Sequence, residues 1–203
     1  MQINRDDRLF DLHRLKTLWN HLTEDPFSFN DIWTDAKENQ YKGINDGIHL
    51  TIWIRRKTKL PLNKRIDQDG KLELTFLNSK LYSFSKSITS FALVYDDHND
   101  CYIELKDYIC DRLDSSFDKS LGNIWISHIG SNAGLRWHTD DDCTLRYLYM
   151  INSNSKDNDL YFKNTIKHIN LDQGQSFMFD PSAIEHSVKT TYGPRTVLVV
   201  HLQ

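Results

Sequence analysis

Cysteine is scarce: Cys101, Cys110 and Cys143 are the three in the chain. An odd count without CxxC spacing argues against a disulfide framework and against a thiolate zinc site. Long apolar runs are missing too, and none approaches the ~18 residues that a membrane-crossing helix requires. The opening residues, MQINRDDRLFDLHRL, are too charged for a signal peptide, so the expectation is a cytoplasmic protein with no membrane contact. Neither sign of charge is in excess. With 25 Lys and Arg against 28 Asp and Glu the net charge is −3, which offers nucleic acid or an anionic membrane no bulk attraction. There is no internal repeat and no low-complexity tract.

What the chain does have is apolar and aromatic content, 39% hydrophobic and 12% aromatic over 203 residues. That composition excludes general disorder and, at this length, suits a single domain burying roughly 70% of its unfolded surface. Leu9, Phe10, Leu12, Leu15, Leu18, Trp19 and Leu22 form the stripe of an amphipathic helix over residues 7–22, stopped by Asp25-Pro26. Ser28 or Asn30 could cap a second, short helix through Ile32, Trp33 and Ala36. GIHLTIWI, residues 47–54, predicts a strand. The basic stretch from Arg55 to Arg65 could attract an anion, but reads as a solvated hairpin loop. Helical spacing returns over residues 102–117.

From Asn123 onward the pattern shortens. Strands are predicted over 124–129, 135–140, 144–151, 160–163, 165–169, 176–179, 185–189 and 196–202, with turn chemistry at Gly130-Ser131-Asn132, Asp172-Gln173-Gly174 and Gly193-Pro194. Strands this short and closely spaced predict a mainly β core of the jelly-roll kind over residues 121–203. A mixed helical and strand support over 1–120 completes an α+β arrangement in one domain.

Within that core, His138-Thr139-Asp140 places two potential ligands two residues apart, on one face if the segment is a strand. His186, opening a later strand, is the best third ligand. Two histidines and a carboxylate suit Fe(II) and leave half an octahedron open for a bidentate cosubstrate and dioxygen. Nine residues on, Arg195 heads the last strand, TVLVVHL, where a guanidinium could hold a carboxylate. HxD alone is a weak signal; the four-part order is a much stronger one.

At this point the sequence resembles the Fe(II)- and 2-oxoglutarate-dependent dioxygenases, and among them the aspartyl/asparaginyl β-hydroxylase family. The similar stretches are HIGSNAGLRWHTDDDCTLRYLYMI, GQSFMFDPSAIEHSV and RTVLVVHL, about the last 80 residues. The resemblance implies a double-stranded β-helix, with His138, Asp140 and His186 as iron ligands. It also implies that Arg195 binds the distal carboxylate of 2-oxoglutarate and that Arg146 lies near the cosubstrate's metal-binding end. In such enzymes O₂ and 2-oxoglutarate are consumed, an unactivated C–H bond is hydroxylated, and succinate and CO₂ are released. Two departures stand out. Leu148 occupies a position that is often histidine in the family. Asp140 completes a triad that some members lack, which argues against the related halogenases.

Ordinary readings compete at each position. His138 with Asp140 could be a surface pair, and His186 a satisfied core histidine. Arg146 could face an acidic side chain instead of a cosubstrate. His128, on the preceding strand, reads as structural. Arg136, Trp137 and Asp142 are candidates for substrate contact, although acids such as Asp141 and Asp142 are often merely solvated. The expected substrate is a small-molecule or short-peptide amino acid. One rival is a nucleic-acid-modifying dioxygenase. Enzymes that repair alkylated bases typically carry a second arginine six residues after the first, and this chain has His201 there. The other rival is a non-catalytic jelly-roll binding protein.

Overall fold

Strand order decides the architecture. The computed structural model describes residues 2–5, 7–24, 49–57, 73–76, 79–83, 90–95, 99–117, 121–130, 134–140, 143–153, 159–163, 168–189 and 194–202. The last eight strands are β6 (Leu121–Ile129), β7 (Gly134–His138), β8 (Leu145–Ser153), β9 (Asp159–Phe162), β10 (His168–Asn170), β11 (Ser176–Phe179), β12 (His186–Lys189) and β13 (Arg195–Leu202). They divide between two sheets, in the orders β11-β8-β13-β6 and β10-β9-β12-β7, with every pairing antiparallel. The chain crosses repeatedly from one sheet to the other, which is the jelly-roll topology of a double-stranded β-helix. Each predicted strand is present, shifted at its ends by a few residues.

The described part of the N-terminal region holds more strands than the sequence suggests. Strands β1 (Gln2–Asn4), β2 (His49–Arg55), β3 (Glu73–Phe76), β4 (Ser79–Ser83) and β5 (Ser90–Tyr95) all join the larger sheet. β1 pairs with β11 at one side, and β2 extends from β6 at the other. Of these, only β2 is anticipated. Among the described residues there are two helices, α1 (Leu12–Glu24) and α2 (Asp100–Ser116). Neither is long and apolar enough to cross a membrane. The short helix expected after Ser28 lies outside the described residues.

Side-chain carboxylates and amides explain where the helices start. α1 begins at Leu12, not near Asp7, because Asp11 accepts a hydrogen bond from the Arg14 amide at 3.1 Å and so acts as the cap. Asp7 is engaged elsewhere, accepting from the Leu9 amide and the Tyr147 hydroxyl, each at 2.9 Å, and from Ser176. α2 is capped by Asn99, whose side chain accepts from the Tyr102 amide at 2.8 Å. Arg55, the first of the basic stretch, is no free cation. It closes a two-pronged pair with Asp114 of α2 at 2.8 and 2.6 Å.

Two apolar clusters flank the larger sheet. Leu15, Leu18, Trp19 and Leu22 of α1 and Leu105, Ile109 and Leu113 of α2 cover its outer face, meeting Leu198, Val200 and Leu202. The opposite face looks into the barrel, where Val197 and Val199 pack with Leu148, Met150, Phe177 and Phe179. β13 is therefore buried on both faces, which is why TVLVVHL reads as a continuous apolar run. Its odd-numbered residues point into the barrel. Arg195 and His201 share that parity.

Candidate metal centre

Three side chains meet at one end of the barrel. His138 ends β7 and His186 opens β12, and the two are directly paired across the antiparallel ladder. Their ring centroids stand 4.3 Å apart. Asp140 Oδ2 approaches His186 Nε2 to 3.4 Å and His138 Nε2 to 3.8 Å. One candidate ligand atom from each residue lies within 4.8 Å of the others. Asp140 arrives differently from the sequence expectation. β7 stops at His138, so strand alternation does not aim the carboxylate. The Asp140 amide instead donates to the Pro181 carbonyl at 3.0 Å, tying this candidate ligand to the turn that precedes β12.

The donor chemistry fits a divalent cation. His186 Nδ1 lies 3.0 Å from the Ile184 carbonyl, which can only accept, so Nδ1 donates there and Nε2 is the atom turned towards Asp140. Burial on its own would raise the Asp140 carboxyl, but the His186 ring and the Arg146 guanidinium overcome it and hold the group below the usual carboxylate range. Arg146 Nη1 forms an ion pair with Oδ2 at 2.6 Å, and this buried oxygen accepts no hydrogen bond from the described residues. Lone-pair atoms gathered this closely repel unless a cation sits among them. Phe179 closes one side, its ring edge-on to His186 at 5.0 Å.

Arg195 stands apart on the same interior face. It is 3% exposed, and among the described residues no acidic side chain pairs with it. Its Nε has no hydrogen-bond partner, and burial pushes the guanidinium down to about 10. An enclosed, unpaired guanidinium suits a carboxylate ligand. Arg146, also buried, does have protein partners: Asp140, and His201 Nε2 at 2.8 Å from its Nη2.

The remaining candidates disperse. Trp137 immediately precedes His138 on β7, so alternation turns it to the other face, where it is 48% exposed; the structure does not bring it to the cluster. The side chain of Arg136 lies outside the described residues, as do Asp141 and Asp142. His128 faces the helices, bonded to Thr196 Oγ1 at 2.9 Å and stacked on Trp19 at 5.7 Å, and burial lowers it to about 4. It is structural, as its strand position suggests. Sequence reasoning passed over His201 and Trp125 as site neighbours. Strand parity shared with Arg195 was the signal for His201.

No protein-family model and no curated protein sequence matches the chain. Solved structures with a partial likeness include a 2OG-Fe(II) oxygenase family oxidoreductase from Burkholderia pseudomallei, at 12% identity and a TM-score of 0.38. That match covers 52% of this chain and 53% of the other, so the chain spans about half the length of that protein. A viral collagen prolyl hydroxylase from Paramecium Bursaria Chlorella virus-1 is similar at 13% identity and a TM-score of 0.36, over 62% of this chain and 79% of the other. A cupin domain from Bordetella pertussis gives 8% identity and a TM-score of 0.33, over 43% and 88%. With scores of this size, the assignment as a double-stranded β-helix rests on the strand order itself.

Proposed function

We propose that the protein is an Fe(II)- and 2-oxoglutarate-dependent dioxygenase that hydroxylates an unactivated C–H bond of an amino acid, free or within a short peptide. The observation that carries this reading is the pairing, in one barrel, of three converging lone-pair donors with an unpaired buried guanidinium. His138, Asp140 and His186 would hold the metal and leave its other positions open. Arg195 would receive the distal carboxylate of the cosubstrate. Iron, 2-oxoglutarate and O₂ together supply oxidation of a C–H bond, with succinate and CO₂ as co-products.

The chain's own part is placement and shelter. β7 and β12 fix the two imidazoles by direct cross-strand pairing, and the Ile184 carbonyl holds the His186 ring through Nδ1. Phe162, Phe177 and Phe179 line the barrel beside the trio and keep water from its inner side. Arg195, at the far end of β13 from His201, would draw a dicarboxylate along the barrel from the metal. Support for an amino-acid substrate comes from the resemblance of the last 80 or so residues to the β-hydroxylase family.

A screen over free amino acids and short peptides tests the reading. Succinate release, coupled to a mass gain of one oxygen atom in the substrate, is the expected result. Iron-loaded protein that releases no succinate with any substrate would point instead to a non-catalytic jelly-roll binding protein.

A further inference from the structure

We infer that His201, acting through Arg146, is a positioning residue for the Asp140 carboxylate, an inference that rests on the functional reading above. Asp140 sits beyond the end of β7, and among the described residues its backbone is tied by the bond to Pro181. Its side chain therefore needs a support that the strand does not give. Arg146 supplies it from β8, where the residue is 7% exposed and its guanidinium carbon lies 5.4 Å from the Trp125 ring centroid. Nη1 meets Asp140 Oδ2 at 2.6 Å while Nη2 meets His201 Nε2 at 2.8 Å. Held at two nitrogens over an aromatic face, the guanidinium plane has one orientation.

The choice of histidine at position 201 follows from charge. Arginine has no acceptor, so His201 Nε2 must accept, and the ring is neutral with its proton on Nδ1. A neutral acceptor fixes the guanidinium without competing for its charge, which stays directed at Asp140. A carboxylate at 201 would share that charge, and a cation would repel it. His201 is itself fixed, edge-on to Trp125 at 4.6 Å and 2% exposed on a strand bonded on both sides. The rigid middle of the sheet thus sets the position of a ligand borne by a loop. It also gives Arg146 a role other than holding the cosubstrate.

Binding of Co(II) alone, followed by its visible absorption, tests this without turnover. His201→Leu should weaken Co(II) binding about tenfold, within the range for lost outer contacts of a metal ligand, and alter the spectrum. His201→Gln, whose amide oxygen can accept the same hydrogen bond, should restore affinity to within about threefold. Arg146→Lys keeps the charge, loses the second contact and should behave as His201→Leu does. Because the effect passes through Asp140, His201→Leu should cost nothing further in an Asp140→Ala background. Equal loss in both backgrounds, a Gln variant as weak as the Leu variant, or a Leu variant matching wild type would overturn the inference alone. Wild-type protein that binds no Co(II) would overturn the functional reading, and this inference with it.

Discussion

Arg195 presents the clearest imbalance at the scale of single residues. Among the described residues no acidic side chain pairs with its enclosed guanidinium, which costs stability, and a cosubstrate carboxylate would supply that partner. Arg195→Met should therefore stabilise the metal-free protein by about 1 kcal/mol or more, since a buried unpaired charge is removed. The same change should weaken 2-oxoglutarate binding about ten- to a hundredfold, the value of a charge-assisted hydrogen bond. Thermal melting and calorimetric titration read the two effects, and a melting temperature that falls along with affinity would mark Arg195 as structural. The convergence of His138, Asp140 and His186 was legible because ligand chemistry is carried by residue type and strand-end position. Asp140's route to the cluster was not, because it depends on a tie to Pro181, forty-one residues away. Trp137, a candidate for substrate contact, stands away from the cluster for a related reason. Proximity in sequence to His138 puts it on the opposite face of β7.

At the scale of elements, the outer layer of helices ties folding to pH through His128. Its ring is buried against Trp19 and held near pKa 4, whereas the unfolded chain titrates it near 6.5. Above that unfolded value both states are neutral and the group contributes nothing. As pH falls from about 6.5 to 4 the unfolded state takes up the proton first, so stability is lost over that window, up to about 3 kcal/mol. Urea unfolding at pH 7 and 4.5 should show this loss in wild type and a flatter response in His128→Gln. A wild-type stability that rises over the same interval would contradict it. The cap of α2 is a separate, local matter: Asn99→Ala should cost about 1 kcal/mol. Helix α2 and the strands of the barrel were readable because each has a strong period or a bounding turn. The start of α1 was not, since Asp7 answers to Tyr147 and Ser176, residues far along the chain. Strands β3 to β5 were passed over, although Glu73-Leu74-Thr75-Phe76 alternates polar and apolar and Phe91 to Tyr95 is a short apolar run.

For the whole molecule, the eight-strand order places both ends of the functional constellation on one interior surface. His138, Asp140 and His186 gather with Arg146 and His201 at one end of the barrel, and Arg195 stands at the other end of β13. Composition gives this barrel no electrostatic hold on polyanions, so association with single-stranded DNA should be weak and nearly independent of salt. A steep salt slope would revive the nucleic-acid alternative. The central claim is that this interior binds Fe(II) and 2-oxoglutarate together. The most direct measurement is an anaerobic titration of the metal-free protein with Fe(II) and 2-oxoglutarate, followed by visible absorption. A weak metal-to-ligand charge-transfer band should appear with wild type and vanish in His138→Ala and His186→Ala. No band in wild type, or an undiminished one in those variants, would contradict the account.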